Sequence, residues 1–268
     1  MGGRNVIVRE IPDKLTVAAL AGNGHRQPEG VQSEPQCLSA LGVTRLHHTD
    51  DFGIWSGADS RRFTQRINDF AEDAKIIVTV TPGNHEDGKL VSAVFAAVGS
   101  RVPASIRLRL AVLPRGHRRS QAGRTCVRSG GAASIDCEYC QVGCTWFLGK
   151  LPPAEDLVAP TASGHAEIMI VHTSPAPGTP KANQIRATAG GWSENARKHP
   201  AHGAEIITTP RESAHSRSLV HGHSHLQDEV NLPTVRRIVS PAQENRPGIV
   251  LLLDPTTMTS TRLEAIPE

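Results

Sequence analysis

Short polar turns that carry His, Asp or Asn repeatedly follow apolar, strand-like segments in this sequence of 268 residues. The turns are Gly22-Asn23-Gly24-His25, Asp50-Asp51-Phe52-Gly53, Gly83-Asn84-His85-Glu86, the single His172, and Gly222-His223-Ser224-His225. In open α/β sheets the loops after parallel strands meet on one rim, where ligands bind. We therefore expect these turns to converge on one site, which requires a fold built on parallel strands.

Strand-like and helix-like segments alternate along the chain. Amphipathic spacing predicts helices at residues 63–74 and 90–98. Apolar runs and two-residue alternation predict strands at residues 15–21, 43–48, 75–81, 106–112, 124–134, 166–171, 218–220 and 248–253. We expect the segment 124–134 to join the same sheet as the segment 106–112. The alternation favours an α/β protein over an all-α or all-β one.

Charge and hydropathy exclude several functional classes. Lys and Arg number 29 against 26 Asp and Glu, a net charge of +3. A dedicated nucleic-acid or membrane-surface binder would carry a larger basic excess. No apolar run reaches the length of a membrane span, and the amino terminus lacks the pattern of a signal peptide. We expect a cytoplasmic protein that has no membrane partner.

The polar turns supply the ligands that divalent metals prefer. Imidazole, carboxylate and amide oxygen suit Zn, Mn or Fe, and the chain holds 13 His. The turns offer more ligands than one ion needs. Two ions that share a bridging carboxylate would use them all, and such a pair can clamp the attacking and leaving oxygens of a phosphoryl displacement.

Three motifs in a fixed order resemble the calcineurin-like metallophosphoesterases: GNHE at residues 83–86, the isolated His172, and GHSH at residues 222–225. The segments DFGIW (51–55), TPGNHED (81–87), GGAASID (130–136), GGWSENA (190–196) and VHGHSH (220–225) are similar to an actinobacterial and actinophage branch. The resemblance covers residues 15–253. It implies an α/β fold, a two-sheet metallophosphoesterase sandwich flanked by helices, and a single domain over residues 1–268.

The resemblance also implies a role for each polar side chain. By the resemblance, the first metal is bound by Asn23, His25 and His225, and the second metal is bound by Asn84, His172 and His223. Asp51 bridges the two metals, and His85 lies beside the leaving group.

The implied activity is hydrolysis of phosphate mono- or diesters. A hydroxide activated by the dinuclear metal centre attacks phosphorus in line, and His85 protonates the leaving oxygen. An unperturbed imidazole has a pKa of about 6.5 and suits that step. The expected cofactors are two divalent metal ions, with Mn, Fe and Zn all compatible with the ligands. The expected partner is a phosphoester substrate, and a nucleic acid would be bound only as such a substrate. Substrate identity and oligomeric state stay open.

Departures from the family pattern support a second hypothesis. Asn23 stands where the family has Asp, and an uncharged amide should hold the first metal less tightly. Asp50 replaces the usual Gly before Asp51, and Ile54 occupies a position where many relatives have Asp. Analogy predicts a helix over residues 193–210, yet this segment contains Pro200 and Gly203, which interrupt helices. A catalytically weakened or inactive homologue, acting as a metal-binding or interaction protein, is therefore the alternative.

A third hypothesis rests on the cysteines. Cys137, Cys140 and Cys144 are spaced C-x2-C-x3-C, and Cys126 precedes them. This spacing is compatible with a metal-binding or redox module. However, a structural zinc site needs four ligands, and no second C-x2-C follows. Reduced thiols are the favoured interpretation in a reducing cytoplasm.

Other residues have structural interpretations. His47 and His48 are expected to be strand residues rather than metal ligands. His117 lies in a basic segment that is typical of a solvated hairpin. The pair Gly130-Gly131 predicts a close approach between two backbone segments.

Overall fold

Two β-sheets pack face to face, with helices on their outer surfaces, in a computed structural model of the protein. The structure describes residues 18–21, 38–39, 41–49, 51–99, 101–121, 123–133, 164–188, 192–233, 237–241 and 250–263. Within these ranges the strands are β1 (Ala18–Ala21), β2 (Arg45–His48), β3 (Ile77–Val80), β4 (Ala104–Ser105), β5 (Leu110–Val112), β6 (His117–Gln121), β7 (Arg124–Ser129), β8 (Ile168–Val171), β9 (Ser218–His221), β10 (Asp228–Val230), β11 (Arg237–Ser240), β12 (Val250–Asp254) and β13 (Thr259–Arg262). The helices are α1 (Ala58–Asp73), α2 (Gly88–Val98), α3 (Pro180–Thr188) and α4 (Glu194–Ala214).

Both sheets have a parallel centre. The first sheet runs β13-β12-β1-β2-β3-β5-β4, and the second runs β10-β11-β9-β8-β7-β6. In the first, β1, β2, β3 and β5 are parallel to one another. In the second, β7, β8, β9 and β11 are parallel, and antiparallel strands close both edges. This is the expected two-sheet α/β sandwich flanked by helices.

Apolar side chains fill three layers. The layer between the sheets contains Ile168, Ile170 and Val220 from the second sheet and Leu251 and Leu253 from the first. A second cluster lies between the first sheet and α1, and a third lies between the second sheet and α4. Aliphatic residues dominate all three because the chain has only 3% aromatic residues. The layers hold the two parallel centres in a fixed relation.

The first helices follow from their local sequence. In α1, Phe63, Ile67 and Ala71 recur at helical spacing and are buried against the first sheet. The helix α2 begins at a capped end, where the Asp87 carboxylate accepts hydrogen bonds from the backbone N–H groups of Lys89 (3.0 Å) and Leu90 (3.2 Å). Because Asp87 caps the helix, α2 begins directly after the GNHE turn.

The predicted strand at residues 106–112 is wrong in its first half. Only β5 is a strand there, and it pairs antiparallel with β4. Between them the chain reverses in a tight turn, in which the backbone N–H groups of Ile106 and Arg107 donate to the Leu110 carbonyl at 3.0 and 3.1 Å. Leu108 is 56% exposed at the tip of this turn. The apolar alternation matched a strand, but the local turn satisfies the backbone instead.

The predicted sheet membership of residues 124–134 is also wrong. The strand β7 pairs with β6 and β8 in the second sheet and not with β5 in the first. Alternation gives the face of a strand but does not identify its neighbour. The predicted basic hairpin is present as β6 and β7, although His117 is half-buried in it rather than solvated.

Pro200 and Gly203 do not interrupt the predicted helix. The helix α4 is continuous from Glu194 to Ala214. A proline inside a helix costs about 3 kcal/mol. Ile207 of this helix is buried against the second sheet, which contributes roughly 1.5–3 kcal/mol, and Ala204 is buried as well. Tertiary packing therefore offsets the unfavourable local sequence.

An ion-pair network joins the outer edges of the two sheets. Arg262 on β13 lies 3.6 Å from the Glu229 carboxylate on β10 and donates a hydrogen bond to the Asp228 carbonyl at 3.1 Å. Arg237 on β11 pairs with the same carboxylate at 2.6 Å. The network closes the sandwich at the edge formed by β10 and β13.

No helix in the described part of the chain is both long and apolar enough to cross a bilayer.

Candidate metal centre

Four of the polar side chains lie at the carboxyl ends of parallel strands. Asp51 follows β2 and Asn84 follows β3 in the first sheet, whereas His172 follows β8 and His223 follows β9 in the second. The sheets meet at this rim, where the Gly131 N–H donates to the Pro82 carbonyl at 2.9 Å. The rim therefore brings side chains from both sheets into one place.

These side chains come within ligand distance of one another. The potential ligand atoms of Asp51, His172 and His223 all lie within 4.8 Å of one another. His172 Nε2 is 3.6 Å from Asp51 Oδ1 and 2.6 Å from Asn84 Oδ1. The His172 and His223 rings are 4.9 Å apart between centroids. Asp51, Asn84 and His172 are buried, and His223 is half-buried.

The hydrogen bonding of His172 suits a metal ligand. Its Nδ1 lies 3.2 Å from the backbone carbonyl of Thr49, an acceptor only, so Nδ1 carries the proton. In the neutral ring Nε2 then presents a lone pair, which faces the Asn84 oxygen and the Asp51 carboxylate. A divalent ion could be coordinated by all three side chains, and a backbone partner on the far ring nitrogen is typical of metal-binding His.

The turn after β9 is held in an uncommon backbone conformation. His223 and His225 have φ angles of 63° and 54°, in the left-handed region that residues other than Gly seldom adopt. Such residues cluster at functional sites, where neighbouring structure maintains the strain. His225 is exposed and stands outside the three-residue ligand group found among the described residues. Asn23 and His25, the other expected ligands of the first metal, lie outside the described residues.

His85 contacts the site through its backbone. Its N–H donates to Asp51 Oδ1 at 2.9 Å, and its side chain is half-buried. The GNHE turn thus fixes the carboxylate that would bridge two ions. The contact of the His85 side chain with a leaving group stays a prediction from the sequence.

Glu86 has a positioning role that the sequence motifs alone did not predict. Its buried carboxylate accepts hydrogen bonds from the N–H groups of Phe52 (2.8 Å), Gly53 (2.9 Å) and Gly83 (2.5 Å). Burial raises the pKa of Glu86, while these three backbone donors favour its charged form. Glu86 therefore ties the loop that carries Asp51 to the loop that carries Asn84. Its place inside GNHE was the available signal.

Two glycines permit the close approach of these loops. A Cβ at Gly83 would lie 2.2 Å from Asp51 Oδ1 and 2.7 Å from His172 Cε1. A Cβ at Gly130 would lie 2.2 Å from the Pro82 carbonyl oxygen. The expected close approach at Gly130-Gly131 is present, and it joins the rims of the two sheets.

The other His and Cys residues considered in the sequence lie within strands where the structure describes them. His47 lies on β2, and its two ring nitrogens are each 2.9 Å from a threonine hydroxyl, of Thr79 and of Thr81. Burial lowers the pKa of His47 well below its usual value, so the ring is neutral. Cys126 is a buried free thiol on β7, and burial raises its pKa. Cys137, Cys140 and Cys144 lie outside the described residues.

Solved structures with a similar fold include a dimetal phosphatase. No protein-family model matches the chain, and no curated protein matches it in sequence. The protein TT1561 of Thermus thermophilus matches 93% of this chain and 98% of its own at 12% identity, with a TM-score of 0.56.

A dimetal phosphatase from Danio rerio matches 88% of this chain and 91% of its own at 10% identity, with a TM-score of 0.53. The phosphopantetheinyl hydrolase PptH from Mycobacterium tuberculosis matches 90% and 97% at 10% identity, with a TM-score of 0.50. At these identities the likeness concerns the fold. Over nearly its whole length, this chain shares its fold with these three proteins.

Proposed function

We propose that this chain is a metal-dependent hydrolase of phosphate mono- or diesters that uses two divalent ions. The observation that supports this most is the buried ligand group at His172, whose Nε2 lies 2.6 Å from Asn84 Oδ1 and 3.6 Å from Asp51 Oδ1. Imidazole, amide and carboxylate groups at this spacing can share a divalent cation. The position of this ligand group on the shared rim of both sheets matches the place where open α/β sheets bind ligands.

The described residues fit one ion directly. Asn84, His172 and His223 would hold it, and Asp51 would bridge to a second ion held by Asn23, His25 and His225. Mn, Fe and Zn all suit these ligands. When bound, such ions supply positive charge at the phosphoryl oxygens and lower the pKa of water toward 7.

The chain's own residues supply positioning and proton transfer. Asp51 is oriented by the His85 N–H, and Glu86 holds the two loops in register. The His85 imidazole would donate a proton to the departing alkoxide as a general acid. Burial of Asp51, Asn84 and His172 would strengthen their electrostatic interactions with a bound cation.

The test combines metal analysis with turnover of chromogenic phosphate mono- and diesters, before and after Mn addition. We expect two metals per chain in the wild-type protein. His172→Ala should lose metal and turnover together. His85→Ala should keep its metals and lose about 10²–10⁴-fold in turnover. His165→Ala, at an exposed position before β8, is the control.

Asn23→Asp separates this proposal from the weakened homologue. An added carboxylate should raise metal affinity and turnover together. Metal binding with no turnover in the wild-type protein or in Asn23→Asp would contradict the hydrolase and favour a metal-binding protein. Metal loss only after replacement of Cys137 and Cys140 would contradict the proposed ligands.

Three finer expectations stay predictions from the sequence. They are the actinobacterial and actinophage branch, a single domain over residues 1–268, and a cytoplasmic location. The substrate is a phosphoester, and a nucleic acid would be bound only as such a substrate.

A further inference from the structure

A buried arginine lies between the two sheets, below the candidate metal centre. Arg128 is on β7, and only 6% of the residue is exposed. It is in register with Ile170 of β8 and His117 of β6. Cys126, two residues earlier on β7, and Ile170 both belong to the layer between the sheets. Alternate residues of a strand share a face, so Arg128 points into the same layer.

The guanidinium has buried donors without acceptors. Among the residues that the structure describes, Nε and Nη1 of Arg128 have no hydrogen-bond partner. An arginine side chain stays charged inside proteins, so it cannot escape this cost by losing its proton. A buried charge is normally paired or neutralised by a bound ion. A negative charge next to the Arg128 guanidinium would therefore stabilise the folded protein.

The described groups around Arg128 supply no such charge. Arg128 lowers the pKa of both His47 and His117, so the two rings lie within electrostatic reach of the guanidinium. The positive charge of Arg119 also repels the guanidinium and lowers the pKa of Arg128. The nearby carboxylate of Glu167 is engaged elsewhere. It accepts a hydrogen bond from the Thr125 N–H at 2.8 Å and lies 3.6 Å from the Arg124 guanidinium.

We propose that Arg128 binds a monovalent inorganic anion, chloride in the cell, between the two sheets. One fixed guanidinium charge is matched by one negative charge, and a divalent anion would leave an excess charge buried. A small ion also suits a layer in which Cys126 and Ile170 are 2% and 1% exposed. The site is independent of the proposed hydrolysis, since it uses none of the residues at the rim.

Thermal unfolding tests the site. Chloride is exchanged for gluconate at constant ionic strength, so that general screening is unchanged. We expect chloride to raise the Tm of the wild-type protein by roughly 2–4 °C. Arg128→Met should remove this dependence, and its Tm in gluconate should equal or exceed the wild-type value because an unmatched buried charge is gone. Arg124→Met, on the same strand, should keep the chloride dependence.

A crystal grown in bromide gives a second readout that needs no variant. We expect an anomalous peak at hydrogen-bonding distance from the Arg128 guanidinium. A carboxylate of this chain on the guanidinium, or bromide only at the surface, would overturn the proposal. So would a chloride effect that is equal in the wild-type protein and in Arg128→Met, or the lack of any chloride effect in the wild-type protein.

Discussion

His172 Nε2 lies 2.6 Å from Asn84 Oδ1, although the two residues follow strands of different sheets. The distance between these two atoms therefore depends on how the two sheets are positioned relative to each other, as well as on the chemistry of the site. Nδ1 of the same ring lies 3.2 Å from the Thr49 carbonyl, so in the neutral ring Nε2 presents its lone pair on the side of Asn84, as a metal ligand would.

Asn84→Ala should separate metal binding from folding. Removing the facing oxygen takes away one ligand, so we expect Mn affinity to fall at least about tenfold. Stability in the presence of a chelator should change less than stability in the presence of Mn, because the contact with the ion is then absent from both proteins. Asn68→Ala is the matched control. Its buried side chain accepts a hydrogen bond from the Arg109 N–H at 2.9 Å, so stability should fall and Mn affinity should not. Calorimetric titration and urea unfolding measure both quantities.

Glu86→Gln should loosen the two loops that carry Asp51 and Asn84. The glutamine keeps its oxygen, but its amide group cannot accept from all three backbone N–H groups. We expect stability to fall by about 1–3 kcal/mol and metal affinity by about 10–100-fold. Glu229→Gln, at the outer edge of the sandwich, is the control that should leave metal affinity intact. A normal affinity in Glu86→Gln would limit this residue to a role in folding.

The sequence predicted the α/β class because the signals of strands and helices are local, whereas the two-sheet arrangement was implied only by the family resemblance. Apolar runs such as the one that forms β8, and helical spacing such as that of Phe63, Ile67 and Ala71, are read within a few residues. Sheet membership depends on distant partners, which explains why β7 was placed in the wrong sheet. The role of Glu86 was missed for the same reason. Its carboxylate oxygens accept from N–H groups 33 and 34 residues away, and no sequence spacing encodes that clamp.

Gly83→Ala should damage the site by crowding it. The new Cβ would lie 2.2 Å from Asp51 Oδ1, so the carboxylate must move. We expect metal binding to weaken at least about tenfold, with little change in secondary structure. Gly123→Asn is the control, because this glycine has open space and a φ of 75° that asparagine tolerates. Elemental analysis and circular dichroism distinguish the two variants, and full metal occupancy in Gly83→Ala would contradict the described geometry.

His117 should make the fold sensitive to acid. Burial, helped by Arg128 and Arg119, lowers its pKa from 6.5 to about 4. Between these values the unfolded chain binds a proton that the folded chain does not, so stability falls as the pH drops from about 6.5 to 4. After allowance for its partial exposure, the loss is about 1–2 kcal/mol. Urea unfolding at pH 7 and pH 4.5 should show a smaller loss in His117→Gln. An equal loss in both proteins would assign the acid sensitivity to other groups.

Arg262→Met should weaken the edge where the sheets meet away from the metal centre. The variant removes the contact with Glu229 and the hydrogen bond to the Asp228 carbonyl. Because Arg262 and Glu229 are partly exposed, we expect a loss of only about 1 kcal/mol in the free energy of unfolding. Arg237 still pairs with Glu229 at 2.6 Å, so β10 and β11 should stay joined. Metal affinity should be unchanged, because the network shares no residue with the rim. A large loss of metal from Arg262→Met would instead mean that the outer edge sets the distance between the two halves of the site.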